Sequence, residues 1–266
     1  MKSARILVVV AAIAGVCSCY PGNAEADDYT VVHGWPRLPE GFALGQVTGL
    51  DVDSQNRVFV FHRAELAWVS GIPEETVEAK TILCIDGTTG ELLSAWGDNV
   101  FFVPHGLTVD HEDNIWITDL GRHQVLKFSN DGTLLFTVGE EAVPGCDANH
   151  FNQPTDVAVT PEGDFYVADG YRNSRIAKFS ADGKFLLDWG KRGRKPGEFN
   201  TPHSVTVDSE GRVYVADRSN ARIQVFDPNG SFIAEWKSPE LGRPWDVHFG
   251  PDGYLYVADG GDLQGA

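Results

Sequence analysis

The chain has 266 residues, 42% of them hydrophobic, and a formal net charge of −17. That length is enough to bury one sizeable core. The acidity argues against nucleic acid and anionic membrane surfaces as partners, since both call for a basic face.

The N-terminus reads as a removable export signal. Lys2 and Arg5 precede an apolar run from Ile6 to Val16, and a polar stretch then ends in Ala24-Glu25-Ala26. This is the layout of a signal peptide over residues 1–26, with an apolar run too short to span a membrane. A rival pattern, Val16-Cys17-Ser18-Cys19, would make Cys19 a lipid anchor; simple export is preferred. Either way the mature chain, residues 27–266, is expected to be secreted, periplasmic or held at the cell surface, and monomeric. It keeps two cysteines, Cys84 and Cys146, too few for a disulfide framework, and spacing alone leaves open whether they pair.

Beyond residue 46 the chain repeats. Pro104, Pro154, Pro202 and Pro244 are separated by 50, 48 and 42 residues, and Asp119, Asp169, Asp217 and Asp259 by the same three steps. An earlier unit, Val47 to Asp53 followed by Val58 to Arg63, keeps the pattern without the proline. Each complete unit reads as four short strands. In the third these are Asp156–Val159, Phe165–Ala168, Arg175–Phe179 and Phe185–Gly190, with turns at Pro161-Glu162-Gly163-Asp164 and Asp182-Gly183. Aromatic and β-branched runs between Asp-Gly or Glu-Gly turns are hairpin signals. Past the signal, no stretch offers a long helical period.

Four-stranded units of 40–50 residues predict an all-β fold, a six-bladed β-propeller over residues 27–266. About four and a half blades are present, because the fifth unit stops after two strands; the last blade is expected to lie beyond Ala266. Residues 27–46 are a candidate closing strand for the final blade.

The residue after the proline, or its equivalent, opens the innermost strand of each unit: Thr48, His105, Thr155, His203 and Trp245. In a closed six-bladed ring, His105 and His203 stand on alternate blades facing one axis. Imidazoles set out in that way suit a catalytic metal with an open position. They suit equally a pair of strand-capping histidines that hydrogen-bond across the channel. Arg63, Tyr171 and Arg218 each follow the end of a second strand, at the same mouth, where ordinary rim residues also sit. The recurrent aspartates are assigned to turns and strand ends, and Arg175 and Arg222, which also recur, to the scaffold. His62, His111, His123, His150 and His248 lack symmetric partners and are assigned to packing or surface roles.

Six segments carry a resemblance: Phe61-His62-Arg63, Pro104-His105-Gly106-Leu107, Asn149-His150-Phe151 with Gln153 to Val159, Asp169-Gly170-Tyr171, Pro202-His203-Ser204 and Ala216-Asp217-Arg218. In order and spacing they resemble the peptidyl-α-hydroxyglycine α-amidating lyases, the second catalytic domain of peptidylglycine α-amidating monooxygenase, which are six-bladed NHL-repeat propellers. The similarity runs from about Val47 to Phe226. It implies a zinc-dependent cleavage of a peptidyl- or N-acyl-α-hydroxyglycine, a small-molecule or peptide substrate, to an amide and glyoxylate. His105 and His203 would then be two of three zinc ligands. Tyr171 would be the catalytic base, with Arg63 and Arg218 binding substrate or stabilising charge. The backbone carbonyls of Leu50 and Leu107 would help hold a structural calcium, and carbonyl oxygens suit that hard cation. The third zinc histidine and the aspartate beside it belong to the family's last blade. The family's disulfide cysteines are replaced here by Asn152, Arg172, Tyr214 and Val225.

Two other functions stay open on sequence grounds. One is a secreted NHL-type propeller that binds a ligand or protein without catalysis, since propellers host many functions. The other is a calcium-dependent lactonase-like propeller, which would call for converging acidic and amide ligands where paired histidines favour zinc.

Overall fold

In a computed structural model of the chain, residues 32–66, 71–238, 241–250 and 252–261 are described, together with the backbone of strand β1 (Ile6–Val9). The expected cleavage site after Ala26 and the Cys19 anchor fall outside these residues. The described residues are all-β apart from one 3-10 turn at Arg218–Asn220: four-stranded antiparallel sheets follow one another in sequence order, the blades of a β-propeller, and the last sheet has three strands. Among the described residues, no helix is long and apolar enough to cross a membrane. Contacts group the chain into two compact units: Val32–Val167 with Phe179–Phe185, and Met1–Val31 with Ala168–Lys178 and Leu186–Ala266.

The first unit holds two complete sheets. One is β2 (Val47–Val52), β3 (Arg57–His62), β4 (Ile82–Asp86) and β5 (Leu92–Trp96); the next is β6 (Pro104–Val109), β7 (Ile115–Asp119), β8 (Gln124–Phe128) and β9 (Leu134–Val138). Phe59, Phe61 and Ile82 of one sheet bury against Phe101, Ile115, Ile117 and Phe128 in one apolar cluster. Each such side chain contributes about 1.5–3 kcal/mol through burial. Middle strands such as β7 are buried at every residue because both faces are covered, whereas the outermost strand β9 is largely exposed. Where β2 meets β6 the backbones touch, and a Cβ on Gly49 would lie 2.6 Å from the Leu107 nitrogen.

Residues 33–46 do something other than expected. Trp35, Leu38, Phe42 and Leu44 pack on Val60, Leu83 and Ile85 of the first sheet, and Arg37 bridges to Glu91. The described part of the proposed closing strand therefore covers the first sheet, where four apolar side chains find a face to bury against. Cys84 is buried in β4 and Cys146 is exposed in a loop, so no disulfide joins these two thiols.

The third sheet has the order β10 (Asp156–Val159), β11 (Phe165–Asp169), β12 (Arg175–Phe179) and β13 (Phe185–Trp189). The second unit contains the fourth sheet, β14 (Pro202–Val207), β15 (Val213–Asp217), β16 (Arg222–Phe226) and β17 (Phe232–Trp236), and the hairpin β18 (Pro244–Phe249) with β19 (Leu255–Asp259). Tyr214, Ile223 and Val225 pack against Val247, Leu255 and Val257. On the free side of β19, β1 pairs in parallel, from Ile6 opposite Leu255 to Val9 opposite Ala258. An Ile-Leu-Val-Val run has the β propensity to occupy an open sheet edge.

A packing device recurs within the units. An aromatic residue of one outer strand lies on the glycine of the next sheet's outer turn: Trp96 on Gly132, Phe136 on Gly183, Trp189 on Gly230. Those three glycines have φ of 90°, 80° and 82°, the left-handed conformation that a tight hairpin turn needs. At Gly230 a Cβ would also lie 2.5 Å from the Trp189 ring. Gly230→Ala is accordingly expected to destabilise the protein by about 1–3 kcal/mol, from backbone strain and overpacking together. A urea titration of the variant measures it.

Candidate active site

The post-proline positions are built by a bulge. Pairing of β6 with β7 skips between Pro104 and Leu107, that of β14 with β15 between Pro202 and Ser204, and that of β18 with β19 between Pro244 and Asp246. Proline has no N–H to give the ladder and so tolerates the first position of a strand. The bulge after it re-aims the side chain that follows, as bulges beside sites commonly do. His105, His203 and Trp245 each fall in that gap.

Both histidines are then fixed in the same way. His105 Nδ1 lies 2.6 Å from the carbonyl oxygen of Thr155, and His203 Nδ1 lies 2.7 Å from that of Trp245. A carbonyl only accepts, so each Nδ1 carries the proton and each Nε2 keeps its lone pair. The acceptor is in both cases the post-proline residue of the next repeat. This is the tautomer, with its outer hydrogen bond, in which histidine commonly ligates a metal. The two residues are 6% and 9% exposed, which shields the rings from bulk water.

In the second unit, Tyr171, His203, Arg218 and Trp245 come together. The Tyr171 hydroxyl donates to His203 Nε2 at 3.1 Å, with the two rings edge-to-face at 5.5 Å. Arg218 Nη1 approaches the same hydroxyl at 3.5 Å, and the guanidinium lies 4.4 Å over the Trp245 ring. In the first unit, Arg63 is buried, donating from Nε to the Pro104 carbonyl at 3.0 Å and from Nη1 to Gln46 Oε1 at 3.2 Å. That places it beside His105 through the backbone of the residue before it. Leu50 and Leu107 lie on β2 and β6, next to the close approach at Gly49, the first side chain exposed and the second buried.

The loops that carry Tyr171 and Arg218 hang on the recurrent aspartates. Asp169 accepts from Asn173 Nδ2 at 2.6 Å and Arg175 Nε at 3.0 Å. Asp217 accepts from Arg222 Nε at 2.7 Å, Asn220 Nδ2 at 2.8 Å and the Asn200 N–H at 2.7 Å. Asp119 accepts three backbone N–H groups, from Val103, Gly121 and Arg122. All three aspartates are fully buried. The scaffold role of these aspartates, and of Arg175 and Arg222, follows from these bonds.

Of the histidines without a counterpart in another repeat, His62 and His123 are buried with Nδ1 accepting backbone N–H groups, and burial holds both below the usual histidine range. His150 instead lies against Asp147 and Glu140, whose carboxylates raise its pKa. Among the described residues, no cluster of three or more His, Cys, Asp or Glu side chains has metal-site geometry. Sequence reasoning assigned no role to Thr155, Gln46 or Trp245. The repeat register already marks Thr155 and Trp245, since each is the next-repeat counterpart of a histidine.

Comparison with known proteins agrees with this build. The NHL repeat matches residues 103–128, 151–179 and 199–226, spans of the second, third and fourth sheets. A solved streptogramin B lyase shares the fold, with a TM-score of 0.60 at 18% identity over 82% of this chain and 64% of that one. The chain is an NHL-repeat β-propeller protein. Its sequence is 40% identical over 250 residues to peptidyl-glycine alpha-amidating monooxygenase B of Xenopus laevis, covering 87% of this chain and 28% of that protein. It is 35% identical over 258 residues to peptidyl-alpha-hydroxyglycine alpha-amidating lyase 1 of Drosophila melanogaster, covering 87% of this chain and 47% of that one. Within the NHL-repeat class it is thus a homologue of the amidating lyases, and it spans less than half the length of these two relatives.

Two outcomes are expected. In metal-free protein, long-range ¹H–¹⁵N spectra are expected to show His105 and His203 as Nδ1–H tautomers; an Nε2–H form of either would contradict the carbonyl contacts. Burial also pushes the Asp119 carboxyl up to about 6, against the pull of its three N–H donors. The folded state then holds the proton more tightly than the unfolded chain. The resulting stability is complete below about pH 4 and lost as pH rises through about 6, a change on the order of 3 kcal/mol. The pH dependence of unfolding free energy, wild type minus Asp119→Asn, measures it.

Proposed function

We propose that this chain is a zinc-dependent lyase that splits the C–N bond of a peptidyl- or N-acyl-α-hydroxyglycine, releasing an amide and glyoxylate. One observation carries the reading: a tyrosine hydroxyl, a histidine Nε2 lone pair and an arginine converge in the segments that match the amidating lyases. His105 and His203 fit as zinc ligands because a backbone carbonyl holds the proton on each Nδ1. Zinc bound there would act as a Lewis acid toward the substrate hydroxyl, lowering its pKa. The Leu50 and Leu107 carbonyls are proposed as calcium ligands, a structural role suited to hard oxygen donors.

The chain's own residues supply the rest. The substrate is R-CO-NH-CH(OH)-COO⁻. Tyr171 takes the hydroxyl proton as the carbon–oxygen double bond forms. The C–N bonding pair leaves with the amide nitrogen, which takes up the proton Tyr171 removed, directly or through water, to give the product amide and return the phenolate. A free tyrosine, with a pKa near about 10, is a weak base at neutral pH. A guanidinium 3.5 Å from its oxygen favours the phenolate, and so brings it into range. Arg218 also suits the substrate carboxylate, which a guanidinium can hold through two parallel hydrogen bonds. By the same resemblance Arg63, buried beside His105, is proposed as a residue that binds substrate or stabilises charge.

The test is glyoxylate release from N-acetyl-α-hydroxyglycine by the full-length, zinc-supplemented protein. Tyr171→Phe is expected to lower kcat by about 10²- to 10⁴-fold and keep its zinc. His105→Ala and His203→Ala are expected to lose both zinc, measured by elemental analysis, and activity. A zinc-loaded protein that releases no glyoxylate would sink the lyase reading and leave a binding propeller.

A further inference from the structure

Trp245 occupies the histidine position of the fifth repeat, yet the reaction above gives its side chain no part. It is 43% exposed, unusual for the largest apolar side chain, and does not fill a core. Its ring is held on two sides. One face lies under the Arg218 guanidinium at 4.4 Å. The indole nitrogen edge lies against Gly260, with no space there for a Cβ, and the Gly260 N–H is tied to the Arg243 carbonyl. The Trp245 carbonyl meanwhile takes the Nδ1 proton of His203, whose ring centroid is 6.0 Å from the indole.

Arg218 depends on this contact more than most arginines depend on a neighbour. Its Nε is buried and has no hydrogen-bond partner, and its Nη1 contact to Tyr171 is long at 3.5 Å. The scaffold arginine Arg222, by contrast, is pinned by Asp217, Glu235 and three carbonyls. A guanidinium without a carboxylate to fix its plane takes its orientation from the aromatic face it stacks on.

We propose that Trp245 is a positioning residue of the site. Its indole face sets the plane of Arg218, so that the guanidinium edge meets the substrate carboxylate beside Tyr171. Gly260 in turn keeps the indole in place. The inference rests on the lyase reading of Arg218. Trp245 acts through that arginine and touches no reacting atom.

The test is a double-mutant cycle read by binding. N-acetylglycine keeps the acylamide and carboxylate and lacks the hydroxyl, so it binds without turnover. Titrated calorimetrically into the full-length, zinc-supplemented protein, it is expected to bind Trp245→Leu about threefold to tenfold more weakly than wild type. Trp245→Phe, which retains an aromatic face, should recover most of that loss. Gly260→Ala, which displaces the indole without removing it, should reproduce the Leu variant. Adding Trp245→Leu to Arg218→Ala should cost nothing further, because the arginine it orients is gone.

Wild-type affinity in Trp245→Leu overturns the proposal, and so does an equal loss with and without Arg218, which would mark a purely structural role. If the Leu variant does not fold, Trp245→Phe against Gly260→Ala decides. Failure of the lyase reading shows separately, as binding of N-acetylglycine without glyoxylate release from the hydroxylated substrate, and the cycle still decides Trp245. If Arg218→Ala binds as tightly as wild type, the carboxylate role and the proposal fall together.

Discussion

Each candidate ligand depends on one hydrogen bond, from a histidine Nδ1–H to the carbonyl of the matching residue one repeat on. It joins the start of one inner strand to the start of the next, His105 to Thr155 and His203 to Trp245. The bond fixes the tautomer and the ring orientation at once, and leaves Nε2 as the acceptor nitrogen. A backbone carbonyl is a reliable partner for this purpose, since it cannot change protonation state. The bulge after each proline makes the bond possible by turning the side chain out of the ladder.

Around that bond the scaffold and the chemistry are kept apart by charge pairing. The aspartates at the strand ends are buried, and burial raises the carboxyls of Asp119 and Asp217 above the ordinary range. They are tolerated because each is ringed by donors, and those donors are the loop backbones and the recurrent Arg175 and Arg222. The loops so anchored present Tyr171 and Arg218, which have looser contacts. Removing Arg222 would leave the buried Asp217 carboxylate without its counter-ion. Weakening Arg218 would leave a looser site on an intact sheet.

Much of the fold was legible because β-propeller repeats write their register into the chain. The third unit's strands were read to within a residue at each end: Asp156–Val159 and Arg175–Phe179 coincide with β10 and β12. The strand-end aspartates were legible as scaffold because they recur in the four later units, with His62 at that place in the first, and recurrence marks what the architecture needs. Residues 33–46 were not legible. Trp35, Leu38, Phe42 and Leu44 have no repeat partner to align with, and which sheet face they cover depends on what surface is open. The pairing of Ile6–Val9 with β19 was likewise invisible, because an apolar run before a polar stretch reads as a signal whether or not it also pairs as a strand.

For the site, the sequence by itself determined the residue types and their register: a histidine after the proline in two repeats, a tyrosine and two arginines after second strands. That is local information, carried by covalent spacing and a period of two along each strand. Only the tertiary structure decided which atoms face which. It put the Tyr171 hydroxyl on His203 Nε2, laid Arg218 on Trp245 and gave the Thr155 carbonyl to His105. Those contacts join residues 27 to 50 positions apart. Their lengths follow from bulge geometry and sheet packing, which no single repeat contains.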